Sequence, residues 1–172
     1  MGEYWEKQEV KENKDEWNRL IEERIQDREQ KLWWKTVNER PKLRTYRKVK
    51  TILTLEDYLN NNDEKGRRLL TKIRSGTNFL RIETGRREGI DKNNRTCWFG
   101  STAVEDEKHF LLNCHTYDDI REELASKLGK KSTEELELEL MLGKGSREDV
   151  EQVIVFINRA EARRRRILEM KG

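Results

Sequence analysis

Three residues of the chain combine a residue type and a spacing that could hold a metal ion, namely Cys97, His109 and Cys114. Zinc in proteins is held by thiolates and imidazoles that converge as a tetrahedron. A short Cys-x-x-Cys turn followed by a histidine and a cysteine on a helix supplies four such groups. Here Gly100 stands where the second thiolate would be. The spacing therefore predicts a zinc site that lacks one of its usual four ligands. The alternative is that these residues are ordinary core residues, because isolated cysteines are most often buried in apolar surroundings.

Two basic segments carry the residue types that nucleic-acid binding needs. Affinity for a phosphate backbone comes largely from cations on one face, and aromatic rings stack on exposed bases. The first segment surrounds Tyr46, and the second runs from a glycine-bounded loop at residues 85–89 towards Trp98. The candidate contact residues are Arg40, Lys42, Arg44, Tyr46, Arg47, Lys48, Lys50, Arg86, Arg87, Arg95 and Trp98. The alternative is that they only solvate helix faces, because 41% of the chain is charged.

The sequence lacks the patterns of common enzyme active sites. It contains no phosphate-binding P-loop, no nucleophile elbow and no carboxylate cluster of the endonuclease kind. The adjacent Asp118 and Asp119 lie at the predicted start of a helix, where the helix dipole stabilises acidic side chains. We therefore expect a protein without catalytic activity.

Length and composition favour one helical domain with a thin core. The chain has 172 residues, of which 33% are hydrophobic, and its apolar residues recur at helical spacings. The net charge of +3 is too small to indicate a polyanionic partner by itself. We find no apolar run long enough for a membrane span, no apolar core of a signal peptide and too few cysteines for a disulfide framework. We expect a soluble intracellular protein, nuclear or cytoplasmic, with no membrane partner.

Helical periodicity divides the chain into an N-terminal extension and a domain. Residues 3–39 contain no glycine or proline, and Pro41 marks a boundary after them. We therefore predict an amphipathic helical extension over residues 1–40 and a helical domain over residues 41–172. The apolar stripe of the extension is predicted to contain Trp17, Leu20, Ile21, Ile25, Leu32 and Trp33. Further helices are predicted over residues 55–59, 66–74, 107–114 and 118–128, after Ser132 and after Ser146, with Thr54, Thr116, Ser132 and Ser146 as caps. Residues 79–83 alternate like a strand.

The residues around the candidate metal ligands also follow one another in a familiar order. The segments are Ile82-Glu-Thr-Gly85, Arg95-Thr-Cys97, Val104-Glu-Asp-Glu-Lys-His-Phe-Leu-Leu-Asn-Cys114, and then Tyr117 and Arg121. This order resembles the region that follows the polymerase in many non-LTR (LINE-like) retrotransposon reading frames. That region has an arginine-flanked Cys-x-x-Cys, a Glu-Asp-Glu-x-His-Phe-Leu-Leu-x-Cys segment, and a tyrosine followed closely by arginine. The resemblance runs from about Pro41 to Arg121.

The resemblance implies a degenerate zinc knuckle of the reverse-transcriptase CCHC type over residues 95–121. In that family the region is non-catalytic and is thought to help the polymerase hold template RNA or target DNA. By position, Cys97, His109 and Cys114 match the family's metal ligands. His115 and the carboxylate of Asp106 are the candidates to replace the thiolate that is missing at Gly100. The alternative is a decayed knuckle whose fold now depends on the packing of its apolar side chains.

These observations lead to two hypotheses for function. The first is a retroelement-derived, non-catalytic module that binds RNA or DNA, either as an accessory to a reverse transcriptase or as a domesticated remnant of one. The second is a helical protein–protein interaction or oligomerisation module that has lost nucleic-acid binding, with contacts through Trp17 and Trp33 of the N-terminal helix. Both share one predicted fold, which is a mainly α-helical domain with a long N-terminal helix and a small irregular knuckle-like insert. A short β-hairpin is one option for that insert.

Overall fold

A computed structural model describes the backbone of residues 2–171 and the side chains of residues 13–171. Its α-helices are α1 (Gly2–Asn38), α2 (Tyr46–Val49), α3 (Glu64–Arg74), α4 (Arg81–Arg87), α5 (Asp118–Lys127), α6 (Leu138–Met141) and α7 (Arg147–Glu169). A π-helix spans His109–Asn113, and short 3-10 turns span Pro41–Arg44, Asp57–Asn60, Lys92–Asn94, His115–Tyr117 and Thr133–Glu135. The β-type pairing found in the described chain is one antiparallel bridge between Thr96 and Val104. The mainly α-helical fold with a long N-terminal helix is thus confirmed, and the optional hairpin is reduced to a single bridge.

Helix α7 is the centre of the core, and α3, α5 and α6 all pack against it. Its buried residues include Val150, Val153, Ile154 and Ile157, whose three- and four-residue spacing puts them on one face. The helix begins at a capping box, in which the Ser146 side chain accepts from Asp149 N and the Asp149 side chain accepts from Ser146 N. This confirms Ser146 as the predicted cap.

Gly66 of α3 is a point of close approach between two core helices. A Cβ atom placed there would lie 2.1 Å from Cγ2 of Ile154 in α7, so a side chain of any size would push the helices apart. Asp63 fixes the same contact, because its side chain accepts from Gly66 N at 2.9 Å and from Asn158 Nδ2 at 2.5 Å. The helix predicted over residues 66–74 is therefore present, and it begins two residues earlier with Asp63 as its cap.

The strand predicted over residues 79–83 is wrong, because α4 begins inside this segment at Arg81. A distant residue caps the helix start. Arg81 N donates to Glu105 Oε2 at 2.9 Å, and Ile82 N donates to the Glu105 carbonyl at 3.0 Å. The alternating pattern is a local signal, whereas the partner that stabilises the helix lies more than 20 residues away, at Glu105.

Three other predicted caps are also wrong, since Thr54, Thr116 and Ser132 make no side-chain capping bond. The turn after Thr54 begins only at Asp57, and α5 begins at Asp118 with Tyr117 at its cap position. Ser132 precedes a 3-10 turn of three residues instead of a helix. Thr54 is separated from its turn by two residues, Thr116 lies inside a 3-10 turn, and the 3-10 turn after Ser132 ends before α6 begins, so none of these hydroxyls is placed to accept from the free N–H groups of a helix.

Helix α1 packs on the domain through its C-terminal part. Val37 is buried, Trp33 and Trp34 are half-buried, and residues 13–29 are exposed. Gln30 binds the following loop, because its Nε2 donates to Thr51 O at 3.0 Å and its Oε1 accepts from Leu53 N at 2.7 Å. Trp17 is 61% exposed, so the single predicted stripe containing both Trp17 and Trp33 is wrong. At about 100° per residue these two side chains point some 160° apart. None of the described helices is both long and apolar enough to cross a membrane.

Candidate metal centre and nucleic-acid interface

The candidate metal ligands come from two neighbouring segments of the fold. Cys97 lies beside the Thr96–Val104 bridge, and its N–H donates to Ala103 O at 3.0 Å. His109 begins the π-helix, and Cys114 N closes that turn by donating to His109 O at 2.8 Å. An α-helix would set residues five apart about 140° from each other around its axis. The wider π turn reduces this angle, so the imidazole and the second thiol can reach the same point.

The three side chains form a compact donor group that could hold a metal ion. Their ligand atoms all lie within 4.8 Å of one another. The Sγ atoms of Cys97 and Cys114 are 3.9 Å apart, whereas a disulfide would need about 2.05 Å. Zinc–sulfur bonds of about 2.3 Å in a tetrahedron imply sulfur atoms about 3.8 Å apart. The spacing of the two thiols therefore fits shared coordination of one ion.

All three side chains are buried, and one of their polar atoms has no hydrogen-bond partner in the described part of the chain. The exposed fractions are 6% for Cys97, 4% for His109 and 3% for Cys114. His109 Nε2 is fully buried without a hydrogen-bond partner among the described residues, which is a costly arrangement for a polar atom. Burial lowers the pKa of His109 and so favours the neutral imidazole that can coordinate a metal. Burial also raises the pKa of the Cys97 thiol to about 11, which opposes a bare thiolate but not a metal-bound one.

The residues proposed to complete the set of four ligands do not join the group. Gly100 adopts φ +92°, and an ideal Cβ at this position has no atom within 4 Å. A side chain at position 100 would therefore extend from the backbone into open space. The His115 side chain is 92% exposed and its Nδ1 lies 3.0 Å from Asp118 Oδ2. Asp106 accepts from His109 N at 2.8 Å, which supports the start of the π-helix. The metal-ligand group of the described chain thus has three members, and His115 lies outside it because its 3-10 turn directs it to solvent.

The two predicted basic segments meet at one buried carboxylate. Arg44 Nη1 lies 2.8 Å from Glu83 Oε1, and Arg86 Nη2 lies 3.0 Å from Glu83 Oε2. The Glu83 side chain is only 2% exposed, so it holds both guanidinium groups from beneath. Residues 40–50 and 85–95 are therefore parts of one surface, although they are distant in the chain.

Several of the predicted contact residues are engaged within the fold. Arg44 also lies 2.7 Å from Glu107 Oε1. Lys50 is 4% exposed and lies 2.9 Å from Glu56 Oε1. Arg95 donates to the carbonyl groups of Ile90 and Ile82 at 2.9 and 3.0 Å. A buried charge is costly unless it is paired, so the main role of these three cations is to stabilise the fold, and their donors are not free for a ligand.

Other predicted cations remain available at the surface. Arg40, Lys48 and Arg87 are exposed, and no carboxylate among the described residues lies within ion-pair distance of them. Lys42 is half-exposed, while Arg47 Nη1 donates to Asn38 O at 2.7 Å. The available cations thus lie on the same two segments that meet at Glu83.

The two predicted aromatic contacts differ in accessibility. Tyr46 is half-buried, with its ring centroid 6.3 Å from that of Trp33 in an edge-on arrangement. Trp98 is 44% exposed and has the Arg81 guanidinium carbon 4.8 Å from its ring centroid. Trp98 is therefore the more accessible of the two rings, although the Arg164 guanidinium carbon also lies 5.5 Å from its ring centroid, whereas Tyr46 mainly connects α1 to the domain.

Sequence reasoning missed two buried acidic residues that organise the site. Glu105 pairs with Arg164 of α7, and the two side chains are 1% and 2% exposed. Glu107 accepts from Arg44, from Thr45 Oγ1 at 3.1 Å and from Asn78 Nδ2 at 2.9 Å. Both belong to the Glu-Asp-Glu segment just before His109, and that motif was the available signal. The arginine run at 163–166 is likewise largely paired, with Asp119, Glu105 and Glu161.

No protein-family model matches this chain, and neither a curated protein nor a solved structure shows significant similarity to it. The resemblance to the retrotransposon region therefore depends on the sequence motifs alone and stays a prediction.

Proposed function

We propose that the chain is a non-catalytic, retroelement-derived module that binds RNA or DNA and is cross-linked by a structural zinc ion. The observation that carries this proposal is the meeting of the two basic segments at Glu83. Arg44 ties the same surface to Glu107, which lies two residues before His109. Arg44 thus bonds the cationic surface to the chain segment that also contains His109.

Cys97, His109 and Cys114 would hold the zinc ion. Two thiolates and one imidazole are a donor set that zinc favours. The ion would cross-link the loop after Thr96 to the π-helix and satisfy His109 Nε2, and it would bring no reaction chemistry to the module. The burial of all three side chains supports this structural role because it limits the access of a substrate to the ion, and a fourth ligand from outside this group would complete the tetrahedron.

Phosphate contacts would come from Arg40, Lys48 and Arg87, and Trp98 would stack on an unpaired base. Such binding derives its affinity from the release of counterions and is sequence-tolerant, because every base has a face that can stack. The preferred ligand is therefore a single-stranded or structured nucleic acid that is recognised by its shape.

The proposal is tested by fluorescence anisotropy of labelled single-stranded RNA, hairpin RNA and duplex DNA across a salt series. A variant with Arg40, Lys48 and Arg87 changed to glutamine should bind weakly, and its log–log salt slope should fall by about 2 for a single strand. The matched control changes the exposed Lys65, Lys130 and Lys131 to glutamine, which removes the same charge elsewhere. The control should retain both affinity and slope.

The metal is tested on the same protein by titrating cobalt(II) or zinc and by adding a chelator. We expect thiolate–cobalt absorption that disappears in Cys97→Ser, and an unfolding midpoint that rises with metal. Absence of cobalt absorption would refute the metal centre.

Equal nucleic-acid binding by the two triple-glutamine variants, or no binding tighter than about 10⁻⁴ M, would refute the nucleic-acid proposal.

A further inference from the structure

Helix α1 presents one exposed face that contains apolar residues, cations, asparagines and one threonine, but no carboxylate. At about 100° per residue, an arc of roughly 160° can be drawn that excludes every carboxylate of residues 13–38. Its large apolar members are Trp17, Leu20, Ile21, Ile25 and Leu32, and its cations are Lys14, Arg24, Arg28, Lys31 and Lys35. All ten are exposed. We call these ten residues the basic-apolar face.

This face points away from the domain. Trp33, Trp34 and Val37, which pack on the domain, lie on the opposite side of the helix. Apart from Ile25, which also lines a groove with Ile52 and Leu53, the basic-apolar face is therefore not covered by the described part of the chain. Five exposed apolar side chains along one arc are typical of a surface that another molecule covers.

The spacing within the face is that of a coiled-coil seam. Trp17, Ile21, Arg24, Arg28, Lys31 and Lys35 follow one another at intervals of four, three, four, three and four residues. This is the a and d spacing of a heptad repeat. Leu20, Ile25 and Leu32 flank the seam. The seam thus begins apolar and continues with cations at positions that a partner helix would bury.

The chemistry of the seam selects among possible occupants. A second copy of α1 would place cations against cations in either orientation, because the arc holds no carboxylate. A membrane surface would have to bury Arg24 and Arg28, which lie in the middle of the apolar arc and not at its edges, where membrane-bound helices carry their cations. A nucleic acid would meet the cations but leave four aliphatic side chains without a complementary surface.

We propose that the basic-apolar face docks an acidic amphipathic helix of another protein. The partner helix would set apolar side chains against Trp17 and Ile21 and carboxylates against Arg24 and Arg28. No carboxylate among the described residues lies within ion-pair distance of these two arginines, so their pairing capacity is available. A cation at a core position of a coiled coil costs stability but specifies the partner, which suits a hetero-association.

The test uses the full chain and a labelled synthetic peptide of three heptads whose a and d positions are shared by leucine and glutamate. Anisotropy should report binding that weakens at least about tenfold in Arg28→Glu and in Ile21→Asn. Arg19→Glu is the matched control, because Arg19 is an exposed arginine on the opposite side of α1. Its affinity should stay within about twofold.

A second peptide, with lysine in place of each glutamate, makes the test reciprocal. The double variant Arg24→Glu/Arg28→Glu should bind the lysine peptide and lose the glutamate peptide. Equal effects of Arg28→Glu and Arg19→Glu, or no peptide binding up to about 1 mM, would overturn the proposal. If the glutamate peptide does not bind, binding through Trp17 and Ile21 to another occupant would also overturn the proposal. The alternative occupants are phosphatidylserine vesicles, single-stranded RNA and a second copy of the chain, the last detected by sedimentation. These readouts do not involve Arg40, Lys48 or Arg87, so the two proposals can fail separately.

Discussion

Replacing Arg44 with methionine should destabilise the protein even though Arg44 was predicted to contact nucleic acid. Its guanidinium lies 2.8 Å from Glu83 and 2.7 Å from Glu107, whose side chains are 2% and 3% exposed. Methionine keeps the apolar stem of the side chain and removes the charge. Glu83 keeps Arg86 as a partner, whereas Glu107 keeps only neutral donors among the described residues.

The size of the effect follows from the burial of the partners. Removing one member of a fully buried ion pair costs about 3–5 kcal/mol, because the other charge is left uncompensated. Arg44 itself is 29% exposed, and both carboxylates retain other hydrogen bonds, so we expect the lower value of about 2–3 kcal/mol. With a urea m-value of about 2 kcal/mol/M, the unfolding midpoint should fall by about 1–1.5 M.

The assay is urea unfolding followed by circular dichroism, with Arg87→Met as the control because Arg87 is exposed. The control should move the midpoint by less than about 0.3 M, as expected for a surface substitution. A shift for Arg44→Met as small as that of the control would refute the reasoning, because the pairs would then behave like solvated surface ion pairs. The expected result would show why nucleic-acid tests should not depend on Arg44.

Further predictions concern two glycines and one cap. Gly66→Ala should lower the free energy of unfolding by about 1–3 kcal/mol despite the better helix propensity of alanine, because its Cβ would overlap Ile154; an unchanged urea midpoint would contradict the close helix contact. Ser146→Ala should cost about 1 kcal/mol in the same assay, and no loss would mean that the capping box is not formed in solution. Gly100→Cys should tighten cobalt binding about tenfold by adding a fourth thiolate, although strain on a side chain at φ +92° offsets part of the gain. Spectral titration would detect the change, and unchanged affinity would show that position 100 cannot reach the ion.

The fold class and parts of the site could be predicted from the sequence because their signals are local. The absence of glycine and proline over residues 3–39 indicated α1, the 3.6-residue period of apolar side chains indicated α7, and the hydroxyl of Ser146 indicated a helix start. The spacing of Cys97, His109 and Cys114 indicated a metal-ligand group, and the three side chains do converge. Each of these signals lies within a short window of the chain or in the chemistry of the residue itself.

Tertiary structure alone decided which charged residues are structural and which are available. Arg44, Lys50 and Arg95 looked like surface cations in the sequence, yet each is bonded within the fold. The start of α4 depends on Glu105, and the side of α1 that meets solvent depends on where Trp33 packs. A sequence pattern records residue types and local periods, whereas a buried ion pair or a distant cap depends on which side chains meet after the chain has folded, and that is set by packing across long separations.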